Sequence, residues 1–343
     1  MVLELAKYTK ELSNQLENAS SILIICHVNP DGDAIGSQLA IYHYLVSRGK
    51  NVKILSPNYL QEFLKWMDGV EDINIYIKDR QAAKKIIGEA DLIIMTDFNQ
   101  PNRLGEAEDA VMKSQARKVV IDHHLNASDF ADLMISDPGS CSTCELLHNI
   151  ITMLNGERFM NKAYAEAIYV GIVTDTGNFD HGSYTGDTFR VIADLLDAGI
   201  DKDRIFNLVF NNFSSERMRL QGYALNERMV VLEDYGVAYI ALTKEDLLKY
   251  KYRKGDTEGF VNMPLSISGI RFSALFIEKE GFIKLSFRSK GSYSVSEFAT
   301  RYFNGGGHRN ASGGEYYDSL ENTLVYFLDV LKTEGPEIRN SSY

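Results

Sequence analysis

Apolar residues along this chain fall into short unbroken runs separated by stretches of helical periodicity. Residues 22–26 (Ile-Leu-Ile-Ile-Cys) form one run, with the length and composition of a strand buried on both faces. Residues 91–96 and 118–121 form two more, and strands are also expected at 52–55 and 73–77. Between them the pattern turns helical at 33–47, 60–67, 80–89 and 106–114, with Gly49 a natural stop for the first of these. Ahead of them, Leu5, Tyr8, Leu12 and Leu16 fall at the spacing of an amphipathic helix. Strands alternating with helices predict an α/β fold built on a doubly wound, mostly parallel sheet.

From about residue 144 to 229 the pattern is nearly all helical: 145–154, 162–173, 187–198, 202–210 and 214–229. It then changes. Strands are expected at 230–233, 236–242, 270–278 and 282–289, with Glu280-Gly281 as a hairpin turn, and helices at 244–250, 295–303 and 319–332. The division this predicts is a first domain over 1–213, a helical linker over 214–229 and a smaller mixed α/β domain over 230–335. The chain shows no internal repeat, and residues 335–343 read as a frayed tail.

Candidate chemistry begins where the strands end. His27, Asp31 and Asp33 follow the first run, Asp97 the second, and Asp122-His123-His124 the third, while the apolar helical stretch 164–173 runs out at Asp175. In an open parallel sheet that edge borders the crevice where ligands bind. Asn29-Pro30-Asp31-Gly32 taken alone is a turn with an Asp helix cap. Repetition of the same event at independent strands favours a metal site. Oxygen and imidazole donors without thiolate suit Mn²⁺ or a similar divalent ion. The set is too large for one ion and about right for two, and without cations so many carboxylates would repel one another. Two ions about 3.5–4 Å apart would share a hydroxide and clamp a phosphoryl group. Phosphoester or phosphoanhydride hydrolysis is the reaction class this suggests.

Composition narrows the picture. At 343 residues and 45% hydrophobic, the chain has material for about two packed cores. No run approaches the ~18–20 apolar residues of a membrane span, and the amino terminus lacks the basic start and apolar core of a signal peptide, so the cytoplasm is the expected location. Three cysteines make no disulfide framework. Cys141 and Cys144 are spaced for a redox pair or half a zinc site, but nothing completes the site, and a helix start after Pro138-Gly139-Ser140 is the simpler reading. A net charge of −11 argues against gathering long nucleic acid by bulk electrostatics, so an anionic ligand must be held locally.

One local candidate is the stretch from Gly305 to Gly314, GGGHRNASGG, preceded by Arg288 at the end of a strand. Adjacent glycines let backbone N–H groups approach an anion, and with His308 and Arg309 attached a phosphate or nucleotide grip is expected. The Lys-Ser/Thr of a P-loop is missing, so ATP use is not implied. Arg103 could reach a phosphate or anchor its loop. His43 and His148 read as ordinary surface or boundary residues, and His181 as lying off the site.

The motif HVNPDGDAIGS at 27–37, the isolated Asp97, the DHH at 122–124 and Asp175 together resemble the four motifs of the DHH phosphoesterase superfamily, and GGGHRNASGG resembles its DHHA1 substrate domain. The resemblance spans nearly the whole chain; Ser312 stands where the family more often has Ala. It implies His27 and Asp31 on one Mn²⁺, Asp33, His123 and Asp175 on the other, and Asp97 bridging them. His124 would meet the substrate phosphate, Asp122 would orient the histidines, and Arg288, Gly305, Gly306, Gly307 and His308 would hold the substrate. The short two-domain form resembles the nanoRNase and pAp-phosphatase branch, which hydrolyses very short oligoribonucleotides to mononucleotides and 3′-phosphoadenosine 5′-phosphate to AMP. The implied partners are short single-stranded RNA or small nucleotides, with no long nucleic acid and no membrane, a homo-oligomer staying open. A cleft between the domains would select short substrates. The alternative is a phosphodiesterase for cyclic di-AMP or linear pApA with the same metal core. Pyrophosphatases and polyphosphatases share the first domain but use a more basic second one, and an inactive nucleotide sensor would have lost a metal ligand.

Overall fold

The protein is described by a computed structural model covering residues 2–125, 127–155, 159–180 and 182–342. The chain divides into two compact units, Met1–Asn212 and Phe213–Tyr343. The first contains α1 (Val2–Asn18), β1 (Ile22–Ile25), α2 (Gly32–Ser47), β2 (Val52–Ser56), β3 (Ile73–Ile75), α3 (Arg80–Glu89), β4 (Leu92–Thr96), α4 (Glu108–Met112), β5 (Arg117–Asp122), β6 (Leu133–Ser136), α5 (Thr143–Asn155), α6 (Lys162–Asp175), α7 (Gly186–Asp197) and α8 (Lys202–Phe210). Its strands lie in the order β3-β2-β1-β4-β5-β6 with every neighbouring pair parallel. This is the doubly wound sheet expected from the alternating pattern. The winding reverses between β1 and β4, and such a switch point is where sheets of this kind open a ligand crevice.

The unbroken apolar runs are explained by burial on both faces. Ile22, Ile24, Leu92, Ile94, Val119 and Ile121 pack with α1, α2, α5, α6 and α7 on one side. Leu23, Ile25, Ile93, Met95 and Val120 pack with residues of α3 and α4 on the other. On the first side α2, α5 and α6 approach very closely. A Cβ at Gly36 would lie 2.5 Å from the Ala167 carbonyl oxygen, and one at Gly171 2.2 Å from Cys144 Sγ. Only glycine permits that contact, and it draws the polar starts and ends of three helices to one edge.

Several details depart from the pattern-based reading. Residues 60–67 contain only a single 3₁₀ turn, Glu62–Leu64, and the helix expected over 106–114 shrinks to α4 behind 3₁₀ turns over Pro101–Ala107. The edge strand β6 was not foreseen, because four residues beside β5 carry too little periodicity to register.

The second unit contains α9 (Ser215–Glu227), β7 (Met229–Leu232), β8 (Val237–Leu242), α10 (Lys244–Lys249), β9 (Phe272–Glu278), β10 (Ile283–Ser289), α11 (Val295–Tyr302), β11 (Gly306–His308), β12 (Ala311–Tyr316) and α12 (Leu320–Asn340). Its mixed sheet runs β11-β12-β10-β9-β8-β7, with β8 and β9 parallel and the other neighbours antiparallel. Leu220 and Ala224 of α9 pack with Ile240, Leu242, Leu275 and Ile277, so that helix contributes to this unit's core.

The expected tail is instead the end of α12, which continues through Pro336. A helix-interior proline costs about 3 kcal/mol. Here it is offset by burial of Ile338 and by Glu334, whose carboxylate accepts from Tyr293 and Tyr302, each at 2.7 Å, and from Arg301 at 3.1 Å. The glycine stretch is a hairpin rather than an open loop. A Cβ at Gly305 would lie 2.0 Å from the Gly313 carbonyl oxygen, so these glycines first serve close backbone packing. Ser312 donates its buried hydroxyl to the Val295 carbonyl at 2.7 Å.

Candidate metal centre

At the end of β1 the chain turns with Asn29 in the left-handed region (φ 53°), and His27 stays buried at 2% exposure. Its Nδ1 lies 2.8 Å from the Val28 carbonyl, which can only accept, so that nitrogen carries the proton. Nε2 is thereby aimed at Asp97 Oδ2 (3.4 Å) and Asp31 Oδ2 (3.8 Å). Asp31 caps α2, its Oδ1 accepting from the Ala34 amide at 3.0 Å. The cap and the approach to His27 use different oxygens, so the two readings of this aspartate are compatible.

Asp33, in the first turn of α2, is fully buried and accepts from the backbone amides of Thr143 (2.6 Å) and Cys144 (2.9 Å). It therefore sits against the positive N-terminal end of α5. Asp97 follows β4 in the left-handed region, φ 67°, unusual for any residue but Gly, Asn or Asp. Its Oδ1 accepts from Thr143 Oγ1 at 2.9 Å and lies 3.9 Å from His123 Nε2, while Oδ2 faces His27.

Past β5, His123 Nδ1 donates to the Ser140 carbonyl (3.2 Å), and its Nε2 lies 3.0 Å from Asp175 Oδ2 and 3.9 Å from Asp33 Oδ2. Asp175 ends α6, where a carboxylate meets the negative end of the helix dipole and needs a positive partner. Asp122 takes both the backbone amide of His124 (3.0 Å) and its Nδ1–H (2.7 Å), fixing that ring's tautomer and orientation.

Two groups result, each with donor atoms within 4.8 Å of one another: His27, Asp31 and Asp97, and Asp33, His123 and Asp175. Asp97, Asp122 and His124 form a third such group. Asp97 turns one oxygen to each imidazole side and so stands between the first two. The donor set fits a pair of divalent ions, and the electrostatics show the demand for positive charge. Burial and the neighbouring charges of Asp97 and Asp175 push Asp33 well above the usual carboxylate range, and burial raises Asp175. Burial alone would lower His27, but the facing carboxylates of Asp31 and Asp97 push it up to about 10. Burial would likewise raise Asp97, yet the hydrogen bond to His27 and the charges of His124, His27 and His123 hold it well below the normal range. Protons and cations thus compete for the same atoms.

The sequence reading missed Thr143 and the backbone of Ser140, which carry no motif of their own; the hydroxyls of Ser140, Ser142 and Thr143 at the start of α5 were the available signal. Valine at Thr143 is expected to weaken divalent-ion affinity about 10- to 100-fold by freeing Asp97, with serine restoring it. Calorimetric titration with Mn²⁺ checks this; unchanged affinity in Thr143→Val would mean the hydroxyl is dispensable.

The remaining residues separate clearly. Cys141 and Cys144 are buried free thiols, and it is the Cys144 amide that serves Asp33. His148 is not a surface residue: it is buried at 3% exposure with Nδ1 3.1 Å from the Tyr164 hydroxyl, because α5 packs tightly on α6. His43 lies 3.0 Å through Nε2 from the Asp68 carbonyl. Arg103 is exposed, and its backbone carbonyl accepts from the Val28 amide at 2.8 Å. His181 lies outside the described residues. In the second unit Arg288 is half-buried on β10, with Nη1 donating to the Phe287 carbonyl at 2.9 Å, and His308 ends β11.

Comparison with known proteins follows the same division. Residues 21–172 match the DHH family, N-terminal domain, and residues 234–333 match the DHHA1 domain. A bifunctional oligoribonuclease and PAP phosphatase, NrnA of Bacillus subtilis, is 28% identical over 310 residues, covering 90% of this chain and 93% of its own. A cyclic-di-AMP phosphodiesterase, PdeA of Listeria monocytogenes, is 25% identical over 94% of this chain but only 49% of its own length. Among solved structures, an exopolyphosphatase-related protein from Bacteroides fragilis is 43% identical with a TM-score of 0.93, covering 97% of this chain and 98% of its own. No helix among the described residues is long and apolar enough to cross a membrane.

Proposed function

The chain belongs to the DHH phosphoesterase family with a DHHA1 domain, and from that premise we propose that it is a two-metal hydrolase. Its substrates are very short oligoribonucleotides, cleaved to mononucleotides, and 3′-phosphoadenosine 5′-phosphate, converted to AMP. The observation that carries this is Asp97 between two imidazole–carboxylate groups, each of a size for one ion. His27, Asp31 and Asp97 would hold one cation, and Asp33, His123, Asp175 and Asp97 the other. Oxygen and nitrogen donors make Mn²⁺ the best match. Bound there, divalent ions supply an activated water and charge for an in-line displacement at phosphorus.

The chain's own residues do the rest. Burial would lower His124, but its hydrogen bond to Asp122 and the charge of Asp97 raise it, so the ring can carry a second proton on Nε2 and donate it to a phosphate oxygen as the ester bond breaks. The second unit's half-buried Arg288, whose guanidinium is lowered by burial, is suited to an anion, and His308 and Gly305–Gly307 are assigned to the same task. The similarity to the B. subtilis oligoribonuclease and phosphatase over nearly the whole of both chains supports this substrate class.

Asparagine at Asp122 is expected to lower kcat about 10- to 100-fold with Mn²⁺ affinity intact, because it misorients His124 without removing a metal donor. A parallel loss of metal would make Asp122 a ligand instead. The substrate assignment is tested by initial rates with Mn²⁺ on pAp, a dinucleotide, RNA of two to five units, a 20-mer, cyclic di-AMP, pyrophosphate and polyphosphate. Fastest turnover of dinucleotides, short RNA or pAp is expected; preference for cyclic di-AMP or polyphosphate would overturn it.

A further inference from the structure

Two connections run from the neighbourhood of the metal centre toward an aromatic cluster of the first unit, one reaching Phe179 and the other Phe189. One follows the chain. Immediately after Asp175 and Thr176, Gly177, Asn178 and Phe179 all adopt left-handed backbone, with φ 55°, 58° and 67°. Such a conformation is costly for phenylalanine and persists only where the surroundings enforce it. The turn is pinned by the Asn178 amide on the Val173 carbonyl (2.7 Å) and the Phe179 amide on Thr176 Oγ1 (3.1 Å). The other combines the start of α5 with one hydrogen bond. Thr143, which holds Asp33 and Asp97, lies two residues before Glu145, whose carboxylate accepts from Thr188 Oγ1 at 2.6 Å, and Phe189 comes next.

Phe179, Tyr184 and Phe189 contact one another. Centroids of Phe179 and Phe189 are 5.0 Å apart, and Tyr184 stands edge-on to both at 5.8 Å. Phe179 and Tyr184 pack one side against the core, whereas Phe189 is 49% exposed. Single exposed hydrophobics are ordinary. A contiguous trio that begins four residues after Asp175, braced by a strained turn, calls for an occupant.

We propose that Phe179, Tyr184 and Phe189 form a stacking platform for the base of the nucleotide whose phosphate is processed at the metal centre. This rests on the phosphoesterase reading above and adds how the base is held. Every base offers a π-face, so such a platform accepts any sequence, which suits an enzyme for short RNA. In a chain of net charge −11 an anionic substrate gains little from long-range attraction, and a local apolar contact supplies affinity without adding positive charge.

The test is calorimetric binding of AMP and of ribose 5-phosphate to the Mn²⁺-loaded protein. The two share sugar and phosphate, so metal and phosphate contributions cancel in the ratio of their affinities. The native protein is expected to prefer AMP about tenfold. Phe189→Ala brings the ratio close to one, and Phe189→Tyr restores it. A native ratio near one, a ratio unmoved by Phe189→Ala, or an equal loss for both ligands would overturn the platform. No turnover is involved, so a protein that cleaves no oligoribonucleotide refutes the phosphoesterase reading while this ratio still decides the platform.

Discussion

Asparagine at Asp97 is expected to abolish hydrolysis of every substrate while leaving the fold intact. The side chain faces His27 with one oxygen and His123 and Thr143 with the other, so it serves both candidate ion sites at once. Loss of a partner outside the ligand shell already costs about 10- to 100-fold per ion, and a residue shared by two ions compounds that to roughly 10²- to 10⁴-fold. Asparagine is the right probe because it tolerates φ 67° almost as well as aspartate, whereas alanine would add backbone strain. It relieves carboxylate crowding beside Asp33 and Asp175 but gives up the charge contacts with His27, His123 and His124, so the melting temperature should fall only modestly. Initial rates on pAp and a dinucleotide, with thermal unfolding in parallel, check both halves; activity within tenfold of native would remove Asp97 from the centre.

The second large effect is structural in origin. Alanine at Gly171 would on helix propensity alone stabilise α6 by about 1 kcal/mol. The new methyl, however, would lie 2.2 Å from Cys144 Sγ and 2.6 Å from Asp33 Oδ1. Overpacking of this kind costs about 1–3 kcal/mol, and pushing Asp33 off the Thr143 and Cys144 amides adds about 1–3 kcal/mol for each buried donor left unmet. The unfavourable terms win. Gly171→Ala should therefore melt several degrees lower and bind Mn²⁺ more weakly. Unchanged melting with unchanged ion affinity would show that the helices can separate without disturbing the site.

Where burial is two-sided and repeated, the sequence was readable. Ile22–Ile25, Leu92–Thr96 and the centre of β5 at 119–121 announce themselves as apolar runs, and the polar residues after them mark the sheet's carboxyl edge. The contribution of α5 was not readable. Thr143 acts through a backbone amide and a hydroxyl on carboxylates 110 and 46 residues away, and a pairing of that separation leaves no local pattern. The close approach of α2, α5 and α6 was equally hidden, since Gly36 and Gly171 look like weak points in helices until the neighbouring atoms are known. At the carboxyl end, Gly335-Pro336 carries a local stop signal that burial of Ile338 and the hydrogen bonds of Glu334 override.

Titration of the native protein with Mn²⁺ followed by electron paramagnetic resonance bears most directly on the shared-ligand centre. Binding of two ions per chain, with the spectrum of a coupled pair about 3.5–4 Å apart, is the predicted result. A single ion per chain, or two that give the spectrum of isolated Mn²⁺, would contradict it.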